Sequence, residues 1–111
     1  MIRVLIADDH AILRRGLKEI LVRELEDAVC GEAQDAAGTL IQVQEREWDL
    51  VILDITMPGR SGLDVLRDLK AARPKLPVLV LSMHPEDQYA KRTLRAGASG
   101  YMNKETAPPK S

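Results

Sequence analysis

Leu50-Val51-Ile52-Leu53 is an unbroken aliphatic run that stops at Asp54. No polar residue alternates within it, which is the pattern of a strand covered on both faces, as in a parallel sheet. Two other stretches behave alike. Ile2 to Ala7 ends at Asp8-Asp9, and Val78-Leu79-Val80-Leu81, opened by Pro77, ends at Ser82. Ala28 to Ala33 reads as a weaker edge strand, and Ser99 to Met102 as a short fifth.

Helical spacing fills the intervals. Ile12, Leu13, Leu17, Ile20 and Leu21 recur on one stripe, with Arg14, Arg15, Lys18 and Glu19 between them. Asp35 caps a helix carrying Ala36, Ala37, Leu40 and Ile41, which Gly38 weakens. Ser61 caps a third helix with Leu63, Leu66 and Leu69, which must end before Pro74. Pro85, Glu86 and Asp87 suit the first turn of a fourth, closed at Gly97. Strict β-α alternation predicts one parallel sheet with helices on both faces and right-handed crossovers.

Composition agrees. The chain has 111 residues, 45% hydrophobic and 30% charged, enough for one self-supporting core and unlike a disordered chain. A single cysteine, Cys30, excludes a disulfide framework and a cysteine-based zinc site, and suits a reducing compartment. Lys plus Arg number 16 and Asp plus Glu 17, with no basic cluster carrying interleaved aromatics. Direct nucleic-acid binding is therefore not expected. No apolar run approaches the ~20 residues of a membrane span, and the early carboxylates rule out a secretory leader. The expected location is the cytoplasm.

The polar residues that end the strands carry the chemistry, because ligands of open α/β sheets bind at the carboxyl ends of the strands. Asp8, Asp9, Asp54, Ser82 and Lys104 all directly follow, or end, aliphatic strands. With strands one and three adjacent, three carboxylates converge, and a proton or a cation must offset their repulsion. Oxygen-only donors favour Mg²⁺. Lys104 and Ser82 add an ammonium and a hydroxyl, so the rim suits a phosphoryl group in transfer. A carboxylate can itself be the nucleophile. Asp54 is the best placed, since Asp8 and Asp9 are better suited to metal. Taken singly, each of these residues has a blander use as a cap, turn or solvated surface group. His10 and His84 read as loop residues, Trp48, Met102 and Cys30 as packing residues, and Arg14-Arg15 and Lys91-Arg92 as solvated helix faces.

Together these residues resemble the receiver domain of two-component response regulators. The likeness runs from Met1 to about Lys104. It rests on Asp8-Asp9, on Asp54-Ile55-Thr56-Met57-Pro58-Gly59, on Leu81-Ser82, and on Gly97-Ala98-Ser99-Gly100-Tyr101 leading to Lys104. Asp8-Asp9-His10, Arg15-Gly16-Leu17 and Leu81-Ser82-Met83-His84 are similar to the NarL/FixJ (LuxR-type) subgroup, whose members usually carry a C-terminal helix-turn-helix output domain.

The resemblance implies a flavodoxin-like, doubly wound sheet of order 2-1-3-4-5. It implies that Asp54 accepts a phosphoryl group from a sensor histidine kinase. Asp9, Asp54 and the Thr56 carbonyl would ligate Mg²⁺ directly, and Asp8 through water. Lys104 and Ser82 would hold the phosphoryl oxygens, Ser82 and Tyr101 would form the switch, and Thr56 and His84 would tune dephosphorylation.

Two departures stand out. Glu105 follows Lys104 where many receivers have a cis-proline, and the family's fifth helix has no counterpart in residues 105–111, which contain Pro108-Pro109. Residues 1–104 then form the receiver and 105–111 a truncated tail, whether cut from a longer protein or natural. Strands one and five should expose apolar surface, favouring a homodimer or a domain swap. Three alternatives are weaker. An aspartyl-phosphate phosphatase-type enzyme wants a second acid where Thr56 stands. A nucleotide or flavin module wants a Gly- or Thr-rich loop where Asp8-Asp9 stands. A phosphorylation-independent interaction module would have no use for the acceptor residues.

Overall fold

A computed structural model of the chain describes residues 1–55, 57, 61–82 and 87–103. Its elements alternate as β1 (Ile2–Ala7), α1 (Ala11–Glu24), β2 (Ala28–Ala33), α2 (Ala36–Glu45), β3 (Leu50–Asp54), α3 (Gly62–Ala72), β4 (Val78–Ser82), α4 (Asp87–Arg95) and β5 (Gly100–Asn103). The strands form one five-stranded sheet, β2-β1-β3-β4-β5, with every pairing parallel. This is the expected order, with Ala28–Ala33 at the edge. Strands β3 and β4 run one residue further than their aliphatic stretches, so Asp54 and Ser82 are themselves strand residues.

Alternate strand residues feed two separate cores. Leu5, Ala7, Val51, Leu53, Val78 and Val80 join Val43 of α2 and Leu63, Leu66 and Leu69 of α3 in the larger one. Val4, Ile6, Ile52 and Leu81 form the smaller one, covered by Leu17 and Leu21 of α1. Both faces are thus apolar, which explains the absence of alternation. Trp48 packs on the larger core with its indole N–H donating to the Gln42 carbonyl at 2.9 Å.

Two expectations need correction. Strand one is covered along most of its length, since Val4 and Ile6 are fully buried beneath α1, and only its start is open, with Ile2 38% exposed. Much of the exposed apolar surface lies on α1 itself, which has no fully buried residue and leaves Ile12 87% exposed. On strand five, Tyr101 and Met102 are half-buried. Ser61 precedes α3, but its side chain makes no capping bond; its backbone carbonyl accepts from Val65 N–H at 3.0 Å. By contrast, the Asp35 carboxylate caps α2 by accepting from Gly38 N–H at 2.7 Å. Pro85 and Glu86, expected in the first turn of the fourth helix, lie outside the described residues.

Two glycines are required by geometry. Gly97 closes α4 at φ 111°, a left-handed conformation that side chains resist. At Gly62 a Cβ would lie 2.2 Å from the Ile55 carbonyl oxygen, so only glycine lets α3 start directly beneath the residue that follows Asp54.

Cys30 is half-buried against the smaller core. Burial pushes its thiol pKa up, with Lys18 opposing the rise and Glu32 adding to it. The thiol stays protonated at neutral pH, so iodoacetamide should label native protein more slowly than urea-unfolded protein, and the rate should climb as the pH is raised. Leu66→Ala should cost about 2–5 kcal/mol in urea denaturation. Ile12→Ser, at an exposed site, should stay within about 0.5 kcal/mol of wild type.

Candidate functional site

The sheet order makes β1 and β3 neighbours, and their carboxyl ends deliver the acids to one place. Asp54 is the last residue of the central strand and sits opposite Leu81 of β4. Asp8 extends the β1–β2 ladder by one rung, its N–H donating to the Ala33 carbonyl at 3.0 Å. Asp8 and Asp54 are essentially inaccessible, at 1% and 0%. Asp9 is partly exposed. One ligand atom from each of Asp8, Asp9, His10 and Asp54 lies within 4.8 Å of all the others.

At that spacing two full negative charges repel by roughly 3 kcal/mol at an effective dielectric of about 20. The fold therefore holds together groups that push each other apart. Three carboxylates offering oxygen atoms at short range, two of them in a water-poor setting, fit a hard divalent cation such as Mg²⁺.

His10 was expected to be a plain loop residue. It is the residue before α1, and it engages the acids. Its backbone N–H donates to Asp8 Oδ1 at 2.8 Å. Its ring Nδ1 lies 2.9 Å from the same oxygen and 3.2 Å from Asp9 Oδ1. With the proton on Nδ1 the imidazole donates into the carboxylate pair. The adjacency Asp8-Asp9-His10 was the only sequence signal for this.

Arg14 also departs from expectation. Its side chain is only 14% exposed. Nη1 donates to the Asp8 carbonyl oxygen, 2.6 Å away, and Nε donates to Glu32 Oε1 at 2.8 Å. That hydrogen bond is the main reason the Glu32 carboxyl is held below its usual range. Nothing in the spacing of Arg14 and Glu32 announces the pair, since it depends on the β1–β2 register that sets Glu32 beside Ile6. Arg15, next to it, is exposed as expected.

Ser82 is fully buried at the end of β4, one rung beyond the Asp54–Leu81 pair and opposite Asn103. Tyr101 pairs with Val80 and packs, half-buried, on the larger core. Thr56, His84 and Lys104 lie outside the described residues. The structure thus brings Asp8, Asp9 and Asp54 together and puts Ser82 on the adjoining strand. A cavity of about 640 Å³ lies elsewhere, lined by Val43, Trp48, Leu76 and their neighbours, and none of these acids borders it. Among the described residues no helix is long and apolar enough to cross a membrane.

Residues 4–110 match the profile of the response regulator receiver domain family. Transcriptional regulatory protein DegU of Brevibacillus brevis is 38% identical over 94% of this chain and 44% of its own length. Response regulator GacA of Pseudomonas viridiflava is 38% identical over 94% of this chain and 49% of its own. The chain spans about half the length of these curated relatives. Among solved structures, a LuxR-family two-component response regulator from Aurantimonas sp. SI85-9A1 superposes with a TM-score of 0.88 at 33% identity, over 96% of this chain and 76% of that one. Response regulator TrrA of Thermotoga maritima, in complex with Mg(2+)-BeF, gives 0.83 at 30% identity, over 96% and 90%.

The repulsion within the cluster makes a direct prediction. In metal-free buffer Asp54→Asn should raise stability by about 1 kcal/mol. Added Mg²⁺ should raise the Tm of wild type and do so much less for the variant, as read by thermal denaturation with and without chelator.

Proposed function

Because the chain belongs to the response regulator receiver domain family, we propose that it is the phosphoacceptor switch of a two-component system, with Asp54 as the acceptor. The observation that carries this reading is Asp54 itself. It is a fully buried carboxylate at the end of the central strand, with donor atoms of Asp8 and Asp9 within 4.8 Å. The relative TrrA was solved with Mg(2+)-BeF, which supports Mg²⁺ as the cation.

Asp8, Asp9 and Asp54, with the Thr56 carbonyl, would hold Mg²⁺, Asp8 largely through water. Bound there, the ion supplies positive charge that offsets the carboxylates and the incoming phosphoryl oxygens. An Asp54 carboxylate oxygen attacks phosphorus on the phosphohistidine of a sensor kinase. The new O–P bond forms as the P–N bond breaks, and the imidazole leaves with the electron pair and takes up a proton. Lys104 pairs with the phosphoryl oxygens, and Ser82 donates its hydroxyl to them. Tyr101 follows Ser82 inward, which makes the two residues the moving parts of a two-state element biased by the new charge. Thr56 and His84 set how readily water reaches the acyl phosphate.

Residues 1–104 form this unit. It acts on no separate substrate; the only chemistry is its own phosphorylation and dephosphorylation. The relative DegU is a transcriptional regulatory protein, which supports a DNA-binding output domain outside this chain, a kinase partner and a cytoplasmic location. The exposed Ile12 and Ile20 of α1 support self-association.

Incubation with acetyl phosphate and Mg²⁺ should produce a single phosphoryl adduct by intact mass. The adduct should vanish in Asp54→Asn and in chelator. Wild-type protein that is folded and binds Mg²⁺ yet gains no adduct would overturn the acceptor assignment.

A further inference from the structure

We propose that Arg14 and Glu32 form a brace that positions the Asp8-Asp9 carboxylates, setting the affinity of the site for a divalent cation without touching it. The proposal rests on the reading of the acid cluster as a Mg²⁺ site.

Asp8 is the residue at which the β1 backbone leaves the sheet. Its N–H is held by the Ala33 carbonyl of β2 at 3.0 Å. Its carbonyl oxygen points away from that bond and is taken by Arg14 Nη1 at 2.6 Å. That carbonyl belongs to the peptide plane joining Asp8 to Asp9. Fixing its direction fixes where the Asp9 backbone starts, and so where the Asp9 carboxylate can reach. Asp9 is the partly exposed member of the cluster and has the most freedom to lose.

The guanidinium is itself held from the far side. Nε donates to Glu32 Oε1 at 2.8 Å, and Lys18 Nζ stands 3.8 Å from Glu32 Oε2. Glu32 is placed by its register opposite Ile6, close beneath the rim. The planar fork of arginine is what lets one side chain serve a carbonyl on β1 and a carboxylate on β2 at once. Lysine at this position keeps the charge but has no rigid fork. Arg14 is thus a positioning residue, as groups behind metal ligands commonly are.

The test measures Mg²⁺ binding by isothermal titration calorimetry alongside urea stability, in wild type, Arg14→Met, Arg14→Lys, Glu32→Gln and the exposed control Arg15→Met. Arg14→Met should weaken Mg²⁺ binding about tenfold. Arg14→Lys should recover only part of the loss, and Arg15→Met should match wild type. Glu32→Gln should weaken binding less than Arg14→Met. Combining Arg14→Met with Glu32→Gln should be no worse than Arg14→Met alone, since Glu32 acts through Arg14. If Arg14→Met proves unfolded by circular dichroism, Glu32→Gln and Arg14→Lys carry the same comparison. Variants that lose stability but bind Mg²⁺ like wild type would overturn the brace. Wild type that binds no Mg²⁺ would instead overturn the reading of the acid cluster, and the brace with it.

Discussion

Mutual repulsion among Asp8, Asp9 and Asp54 is the constraint around which this domain is organised. Donor atoms of these three side chains and of His10 lie within 4.8 Å of one another, and two of the carboxylates are cut off from bulk water. Left to the local chain, such groups would separate. They stay together because each ends a strand, or directly follows one, in a sheet whose register cannot slip. A one-residue slip in β1 or β3 would turn aliphatic side chains out of both cores at once. Burial of aliphatic residues some distance away therefore helps hold the acids in place, together with the His10 contacts to Asp8 and Asp9.

Parallel pairing does this economically. All five strands point the same way, so every carboxyl end lies at one rim, and the order places β1 directly beside β3. The two cores have unequal roles. The larger one, built with α2 and α3, anchors β3 beneath Asp54. Among the described residues, α1 covers the smaller one through Leu17 and Leu21, and that same helix is preceded by His10 and carries Arg14 near its start. Helix α1 thus gives up core contact yet supplies polar groups to the rim. His10 reaches the Asp8 carboxylate, and Arg14 reaches the Asp8 backbone carbonyl.

Much of this was legible in the residues. Aliphatic runs ending at Asp8, Asp54 and Ser82 reveal both the strands and the rim, because two-sided burial leaves no alternation and a ligand-bearing end demands a polar stop. Asp35 was legible as a cap because the short carboxylate beside Gly38 has a local partner. Ser61 looked equivalent, but its side chain makes no such bond. The apolar stripe of α1 overstated burial: spacing shows which residues share a face, but not whether a neighbour covers it. Ile12, 87% exposed, carries the same letter as a core residue. In the sequence Arg14 looks like a solvated helix residue, because its partners, Asp8 and Glu32, are reached only through the fold.

The sequence by itself determined the class of fold, the order of its elements and the identity of the acids, since each follows from local patterns of burial and from side-chain chemistry. It also determined that those acids would need positive charge. Only the tertiary structure decided how the acids are held. The imidazole of His10 lies against two carboxylates at once, and the guanidinium of Arg14 joins the end of β1 to Glu32 of β2. The Arg14 contacts link groups on separate elements, and even the His10 contacts, though close in sequence, depend on how the backbone turns from β1 into α1. Such contacts depend on register and on the direction in which a strand ends, and no stretch of chain encodes either alone.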